Sequence, residues 1–497
     1  MKITFIYPGY ENLGIEYLSA ALKKNGHTTS LILDPVLFAE SGAINIPFLS
    51  PYFNYSKKIL KELADTRPDL VCFSCVSDNF PWALDTARKI KSNFNIPVVF
   101  GGIHPTSVPD ILIKNECIDF VGVGECDEAL VELAREIENG SKGRRVRNIW
   151  LKCDGDIVSN ELRPLVNDLD SLTFSDKDLY YKKYKFMCQG YTIITSRGCP
   201  NACTYCANSL LKDIYQNKGE YLRRRSVENV IEELRIAKEK YAPKFIHFCD
   251  EVFTYNQVWL RKFISLYKNK INLPFACYTS PSFINEDIAG LLKEGGCYKV
   301  QMGVQTLDER YRLEILNRHC SNEQIAKAIS IFRKNKIYLT CDNIFGLPNQ
   351  KKEELIKMAE FYIHNKADNL EVFWLRYYPR TKIAEIAKNM GLINENFIKN
   401  TEMGKNNSGI ARGGDTYSKD FSKFQLLLNL FHFMPKSLCN FILKRKIYDF
   451  FPILRPMFIT ALFRFFNKAK YDLYMSSTIK RYLHFTKVLF IPRRKSK

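Results

Sequence analysis

A chain of 497 residues that is 46% hydrophobic is long enough for about two to four domains with sizeable cores. Its 15 scattered cysteines do not form a disulfide framework and point to a reducing cytosol, while no run reaches the ~18 uncharged apolar residues of a membrane-spanning helix. The net charge of +20 leaves nucleic acid, an anionic membrane and an acidic substrate open as partners.

Met1–Pro8 carries one lysine and a short β-type run, then Gly9, which is no secretory signal. Ile3–Tyr7 reads as a strand. Ile15, Leu18 and Leu22 then recur at i, i+3 and i+7, marking a helix that Gly26 ends. Strand-like runs return at Thr28–Leu33, Leu70–Cys75, Pro97–Phe100 and Phe120–Val123, with helical patterns such as Trp82–Asn93 and Asp127–Glu138 between them. This alternation predicts, over residues 1–140, a doubly wound parallel sheet with helices on both faces. Ligands in such sheets sit beyond the carboxyl ends of the strands. Those ends read Tyr7-Pro8-Gly9, Ser77-Asp78-Asn79, Gly101-Gly102-Ile103-His104-Pro105-Thr106 and Val123-Gly124-Glu125. Glycine lets a backbone approach a ligand closely, but tight turns also need it, so spacing alone leaves a plain structural sheet equally open. Cys72 and Cys75 lie inside an apolar strand and read as small buried side chains. His27 follows a helix end, where an imidazole suits the dipole.

Residues 141–190 carry mixed charge and turn-rich pieces and read as a connector. From 191 to 395 strands and helices alternate again. The strands are Tyr191–Thr195, Phe245–Phe248, Pro274–Tyr278, Lys299–Gly303, Tyr338–Asn343 and Asn369–Leu375. The helices include Val227–Lys240, Gln257–Lys268, Glu286–Glu294, Asn322–Asn335 and Lys351–His364, the fourth opened by a Ser321/Gln324 capping box. Six such units predict a partial (β/α)6, TIM-like barrel with chemistry at the carboxyl ends of its strands.

Just after the first of these strands comes Cys199-Pro200-Asn201-Ala202-Cys203-Thr204-Tyr205-Cys206. Three thiolates at C-x3-C-x2-C, with no fourth cysteine close by, can hold a 4Fe-4S cluster with one iron open to a small molecule. A zinc knuckle or three incidental thiols is the plainer alternative, although structural zinc prefers four ligands, often as two pairs.

Thr195-Ser196-Arg197-Gly198-Cys199-Pro200 with Cys203-Thr204-Tyr205-Cys206 resembles the signature of radical S-adenosylmethionine (SAM) enzymes. Leu13-Gly14-Ile15-Glu16-Tyr17-Leu18, Gly26-His27, Gly101–Thr106 and Asp119–Glu125 are similar to the Rossmann-like cobalamin-binding domain that precedes many of them. The Asp-x-His-x-x-Gly motif of cobalamin mutases does not occur here. The resemblance therefore implies base-off cobalamin without a histidine lower ligand, held at the first domain's strand ends. Within the barrel it implies that SAM is chelated by the open iron, with Asp250 or Glu251 near its amine. It also implies Gln305 near the ribose, Arg318 near the carboxylate, and Gly346-Leu347-Pro348 near adenine; Tyr378-Pro379-Arg380-Thr381 matches a further turn. A guanidinium matches a carboxylate with two parallel hydrogen bonds.

The implied activity is reductive cleavage of SAM to a 5′-deoxyadenosyl radical, used for methyl transfer to an unactivated carbon via methylcobalamin. The alternative is cyclisation or rearrangement without net methyl transfer. A rival of another class is an electron-transfer or cobalamin-carrier protein, which would need neither an open iron nor a full barrel. The partners implied are a small-molecule or lipid substrate and an external electron donor such as flavodoxin or ferredoxin.

Residues 396–497 form a basic, mainly helical C-terminal region. The stretch 396–420, rich in Asn, Gly and Lys, reads as an irregular connection or lid. Residues 421–497 hold 16 Lys+Arg against Asp449 and Asp472, with 13 of the 35 Phe. Lys444-Arg445-Lys446 and Arg493-Arg494-Lys495 are compact basic clusters flanking apolar runs. An amphipathic segment on an anionic membrane fits this pattern, and no nucleic-acid motif does. The expected location is cytoplasmic, with peripheral contact at the inner face of the membrane.

Overall fold

The structure, a computed structural model, describes residues 1–39, 46, 48–406, 415–431, 433–465 and 479–486. Its first sheet is built on β1 (Lys2–Pro8), β2 (Thr28–Asp34), β3 (Leu70–Ser74), β4 (Val98–Gly101) and β5 (Phe120–Gly122). These pair in parallel in the order β2-β1-β3-β4-β5. β3 is apolar along nearly its whole length because helices cover both faces of the sheet. Helix Leu13–Lys24 packs with Asp127–Glu138, and Ser56–Thr66 with Phe80–Asn93. The Asn12 side chain opens the first of these by accepting the Ile15 N–H at 2.9 Å. Strand order reverses at β1, between β2 and β3, and that reversal opens a crevice at the carboxyl ends.

The sheet does not stop at residue 140. β6 (Ile149–Cys153) and β7 (Asp156–Ser159) add an antiparallel hairpin to its β5 edge. Ile149, Leu151 and Cys153 turn inward while Lys152 faces out. The hairpin closes through Asp154-Gly155, both at positive φ, as a two-residue turn requires. Part of the expected connector is therefore sheet.

Six parallel strands form the second sheet in sequential order: β8 (Gly190–Ile193), β11 (Phe245–Phe248), β12 (Phe275–Thr279), β13 (Cys297–Gln305), β14 (Tyr338–Phe345) and β15 (Asn369–Trp374). All five expected helices are present, and the Ser321/Gln324 capping box forms. A two-stranded ribbon, β9 (Ser196–Arg197) with β10 (Arg223–Arg224), rises above β8.

The C-terminal region is woven into both units. Helix Lys419–Phe431 buries Phe424, Leu427 and Leu428 against helix Lys352–His364 and β15. Tyr482 packs edge-on to Phe38, and Phe485 to Tyr55. Within the expected irregular stretch, Glu395–Glu402 is helical, opened by the Asn394 side chain, which accepts the Phe397 N–H. No helix among the described residues is long and apolar enough to cross a membrane. Arg493-Arg494-Lys495 lies outside the described residues.

Candidate active site

The cysteine loop is pinned from several sides. Gly198 sits at φ +93, and a Cβ there would collide with the Tyr221 carbonyl. The Thr204 hydroxyl donates to the Ile315 carbonyl at 2.6 Å, and the Ser209 hydroxyl to the Cys203 carbonyl at 2.6 Å. Burial pushes the Cys199 thiol up to about 12, with Cys203, Cys206 and Glu251 all within electrostatic reach. Among the described residues no three His, Cys, Asp or Glu converge on a point that one metal ion could occupy. Three thiols are one short of the four closed ligands a structural zinc prefers. They fit a cuboidal cluster, in which each thiol takes a different iron.

Around the loop sit groups that can donate to sulfur or to a ligand. Arg318 places Nη1 at 3.6 Å from Cys203 Sγ and 3.5 Å from the Tyr205 hydroxyl, and donates Nη2 to the Gly303 carbonyl at 2.6 Å. Its Nε is buried and unpartnered. The Asn208 amide lies 3.8 Å from Cys206 Sγ and accepts from the Tyr221 hydroxyl at 2.7 Å. Asp250 is spent on structure: it accepts from the Thr195 N–H, the Thr195 hydroxyl and the Ser196 hydroxyl. Its neighbour Glu251 faces the space beside the loop, where burial raises its carboxyl and Asn208 opposes that.

That space is a cavity of about 400 Å³ between the two sheets, within the size range of small-molecule sites. One wall is the cysteine-loop side, with Gly198, Asn208, Tyr221 and Glu251. The other is the carboxyl end of the first sheet, with Gly101, Gly102, Thr106, Gly124 and Glu125. From there an apolar recess runs between sheet and helices, past Phe5, Leu18, Phe73, Val99, Leu130 and Ile149. Gly102 is at φ +100, and a Cβ there would fall 2.7 Å from the Cys75 carbonyl oxygen. No histidine is among the described residues lining the cavity. A Cβ at Gly102 or Gly124 would meet the Cys75 backbone or the Tyr215 hydroxyl, so these glycines serve the protein's own packing. The fit to a corrinoid rests on the cavity they line and on the apolar recess behind it, which suits the aromatic base at the end of a cobalamin's tail.

The two walls are clamped together by charge. Arg197, one residue before the Gly198 turn, donates to both Asp127 oxygens at 2.9 and 3.0 Å. Arg223 donates to both Glu125 oxygens at 2.5 and 3.1 Å, and Glu125 N–H donates to the Tyr215 hydroxyl at 2.6 Å. Against the cost of burial, Arg197 holds Asp127 below the ordinary carboxylate range. Lys177 from the connector pairs at 2.7 Å with both Glu11 and Glu16 of the first domain.

Most other residues anticipated from sequence sit outside the cavity lining, as do Cys199, Cys203, Cys206, Asp250 and Arg318. Tyr7, at the end of β1, shares a hydrogen bond with Asn12, and Pro8 ends that strand. Gly9 N–H donates to the Asp34 carbonyl at 2.7 Å. The Ser77 hydroxyl lies 3.0 Å from His104 Nδ1, and burial lowers that imidazole to about 4. Asp78 is ion-paired with Arg376 after β15, and Asn79 accepts the Val76 N–H. Gln305 occupies a bulge at φ +73. Gly346 donates to Gln350 and is covered by Thr416, while the Pro348 carbonyl accepts from Tyr311. Cys72 and Cys75 are buried thiols, as expected, and Cys72 lines the cavity. The sequence reading did not single out Asp127, Asn208, Tyr215, Tyr221 or Arg223. Arg197 lay inside the quoted signature, but nothing in the sequence tied it to an acid of the first domain.

With this geometry in place, the class follows from two matches. The Radical SAM superfamily matches residues 193–362, and the B12 binding domain matches residues 6–134. The chain carries a B12 binding domain followed by a radical SAM domain. An uncharacterized methyltransferase of Pyrococcus horikoshii is 29% identical over 360 residues, which is 70% of this chain and 75% of that one. The anaerobic magnesium-protoporphyrin IX monomethyl ester cyclase of Rubrivivax gelatinosus is 24% identical over 408 residues, 76% of this chain and 68% of its own. The solved structure of the radical SAM methyltransferase TsrM from Kitasatospora setae overlays with a TM-score of 0.64 at 17% identity, covering 78% of this chain and 76% of that one. The cobalamin-dependent radical enzyme OxsB gives 0.60 at 17% identity, covering 83% and 58%. At such identities these two structures speak for the fold.

Proposed function

We propose that this enzyme transfers a methyl group to an unactivated carbon, with both cofactors meeting at the interdomain cavity. One observation carries the reading: a single cavity is lined both by glycines at the strand ends of the B12-binding sheet and by Gly198, Asn208, Tyr221 and Glu251, which border the cysteine loop of the radical SAM domain. When bound, a cluster held by Cys199, Cys203 and Cys206 supplies the electron that cleaves SAM, and a corrinoid in the cavity lined by Gly101, Gly102 and Gly124 supplies a methyl carrier.

The chain's own residues position and shield. Glu251, open to the cavity beside Cys199 and Cys206, offers a carboxylate to an amine. Arg318, already against Cys203, offers its unpartnered Nε–H to a carboxylate. The Arg197–Asp127 and Arg223–Glu125 pairs fix the separation of the two walls and close the space against water. The apolar recess and the absence of a lining histidine among the described residues support base-off cobalamin without an imidazole ligand. An external one-electron donor of the flavodoxin or ferredoxin kind completes the reading, as does rest of the basic C-terminal region on an anionic membrane. The reading keeps the boundaries 1–140, 141–190, 191–395 and 396–497, with residues 149–159 moved into the first domain.

The cyclase relatives favour a second reading, in which the same radical leads to ring closure without methyl transfer. The fate of SAM separates the two. Methyl transfer releases S-adenosylhomocysteine and 5′-deoxyadenosine in comparable amounts, measured with reconstituted protein and cell extract as substrate. Deoxyadenosine with a converted but unmethylated product would replace the first reading by the second.

A further inference from the structure

We infer that the stretch from Phe433 to Leu462 is a docking face for an anionic phospholipid bilayer. The inference rests on the membrane contact proposed for the C-terminal region and narrows it, because much of that region is occupied elsewhere. Phe424, Leu427 and Leu428 are committed to the core, and Tyr482 and Phe485 to the first domain. Among the described residues of 421–497, the large apolar side chains that stay exposed run from Phe433 to Leu462, with Ile479 and Leu483 further along the chain. Helix Lys436–Lys444 turns Cys439, Ile442 and Leu443 inward and leaves Leu438 and Phe441 exposed at i and i+3. Beyond it Phe450 is 87% exposed, and Ile453, Phe458 and Leu462 are also exposed. Scattered exposed apolar residues are ordinary, but this is a run of them in one short stretch.

The charge around these side chains is one-sided. Residues 433–465 contain six Lys or Arg and a single acid, Asp449. That acid is paired with Lys352 at 2.7 Å. Lys436, Lys444, Arg445, Lys446 and Arg455 are exposed. Aromatic rings set between cations suit the headgroup boundary: rings enter the acyl region while cations meet lipid phosphates. A protein reductant attracted by charge alone would leave those rings in water, so the observations favour the bilayer.

The test is flotation of the full-length protein with phosphatidylglycerol or phosphatidylcholine vesicles. Two triple variants change exposed positions only: Lys444→Glu/Arg445→Glu/Lys446→Glu and Phe441→Ser/Phe450→Ser/Phe458→Ser. Thermal melting and iron content check that each still folds. The wild type should float with phosphatidylglycerol at low salt and not with phosphatidylcholine. Each cation near such a surface is worth roughly fivefold in partitioning, so losing three should cost roughly a hundredfold or more. The aromatic variant should keep only weak binding that salt removes. Wild-type protein that ignores phosphatidylglycerol vesicles would sink the membrane reading itself. Wild-type binding that both variants retain in full would leave that reading standing and overturn this face. Binding to an acidic flavodoxin in place of vesicles, lost on charge reversal, would also overturn it. None of these outcomes bears on the fate of SAM.

Discussion

Gly198 shows how one atom decides a site. At φ +93, with the Tyr221 carbonyl where a Cβ would go, only glycine lets the cysteine loop fold against β10. Gly198→Ala should lower both iron loading and thermal stability, read by iron assay and melting. Full loading with an unchanged melt would show that the loop does not depend on this turn. The cysteine triad was legible in the sequence because ligand spacing is local. Asp250 and Glu251 were legible only as a pair. That Asp250 is held by Thr195 and Ser196, across gaps of 55 and 54 residues, was not legible. Asp127 was invisible for the same reason. It looked like the first residue of a helix, where acids are common, and nothing local points to Arg197.

Among the elements, long periodic segments were readable, and their ends moved by only a residue or two. The hairpin Ile149–Ser159 was the main omission, although Asp154-Gly155 is a strong hairpin signal. Mixed charge and exposed faces on an edge hairpin resemble a linker when read by composition alone. The C-terminal helix Lys419–Phe431 carried the opposite risk. Its apolar spacing was visible, but not that the stripe completes the core beside β15. Leu427 is fully buried there, so Leu427→Ala should cost about 2–5 kcal/mol in chemical denaturation. A cost near zero would mean that the helix is an appendage. The same packing rules out clean removal of everything after residue 420, which would strip side chains from the core.

At the scale of the whole molecule, the two sheets were readable one by one and their docking was not, because it rests on pairs distant in sequence: Arg197 with Asp127, Arg376 with Asp78, and Arg380 with Asp110. Breaking a buried pair strands a charge, so Arg197→Gln should cost about 3–5 kcal/mol. The pH dependence has a fixed sign. Asp127 is held low in the folded state, so its contribution is present above the unfolded carboxylate value of about 4 and fades as pH falls below it. The melting difference between wild type and the Gln variant should therefore shrink in acid. A difference that stays constant down to pH 3 would assign the loss to packing.

The central claim is that the cavity at the strand ends of the first sheet holds a corrinoid facing the cysteine loop. Full-length protein purified anaerobically with hydroxocobalamin tests it most directly, by corrinoid quantification and electron paramagnetic resonance of the reduced cob(II) form. The account predicts a stoichiometric corrinoid whose signal lacks nitrogen splitting from a lower ligand. Protein that retains no corrinoid, or a signal split by an imidazole nitrogen, would contradict it.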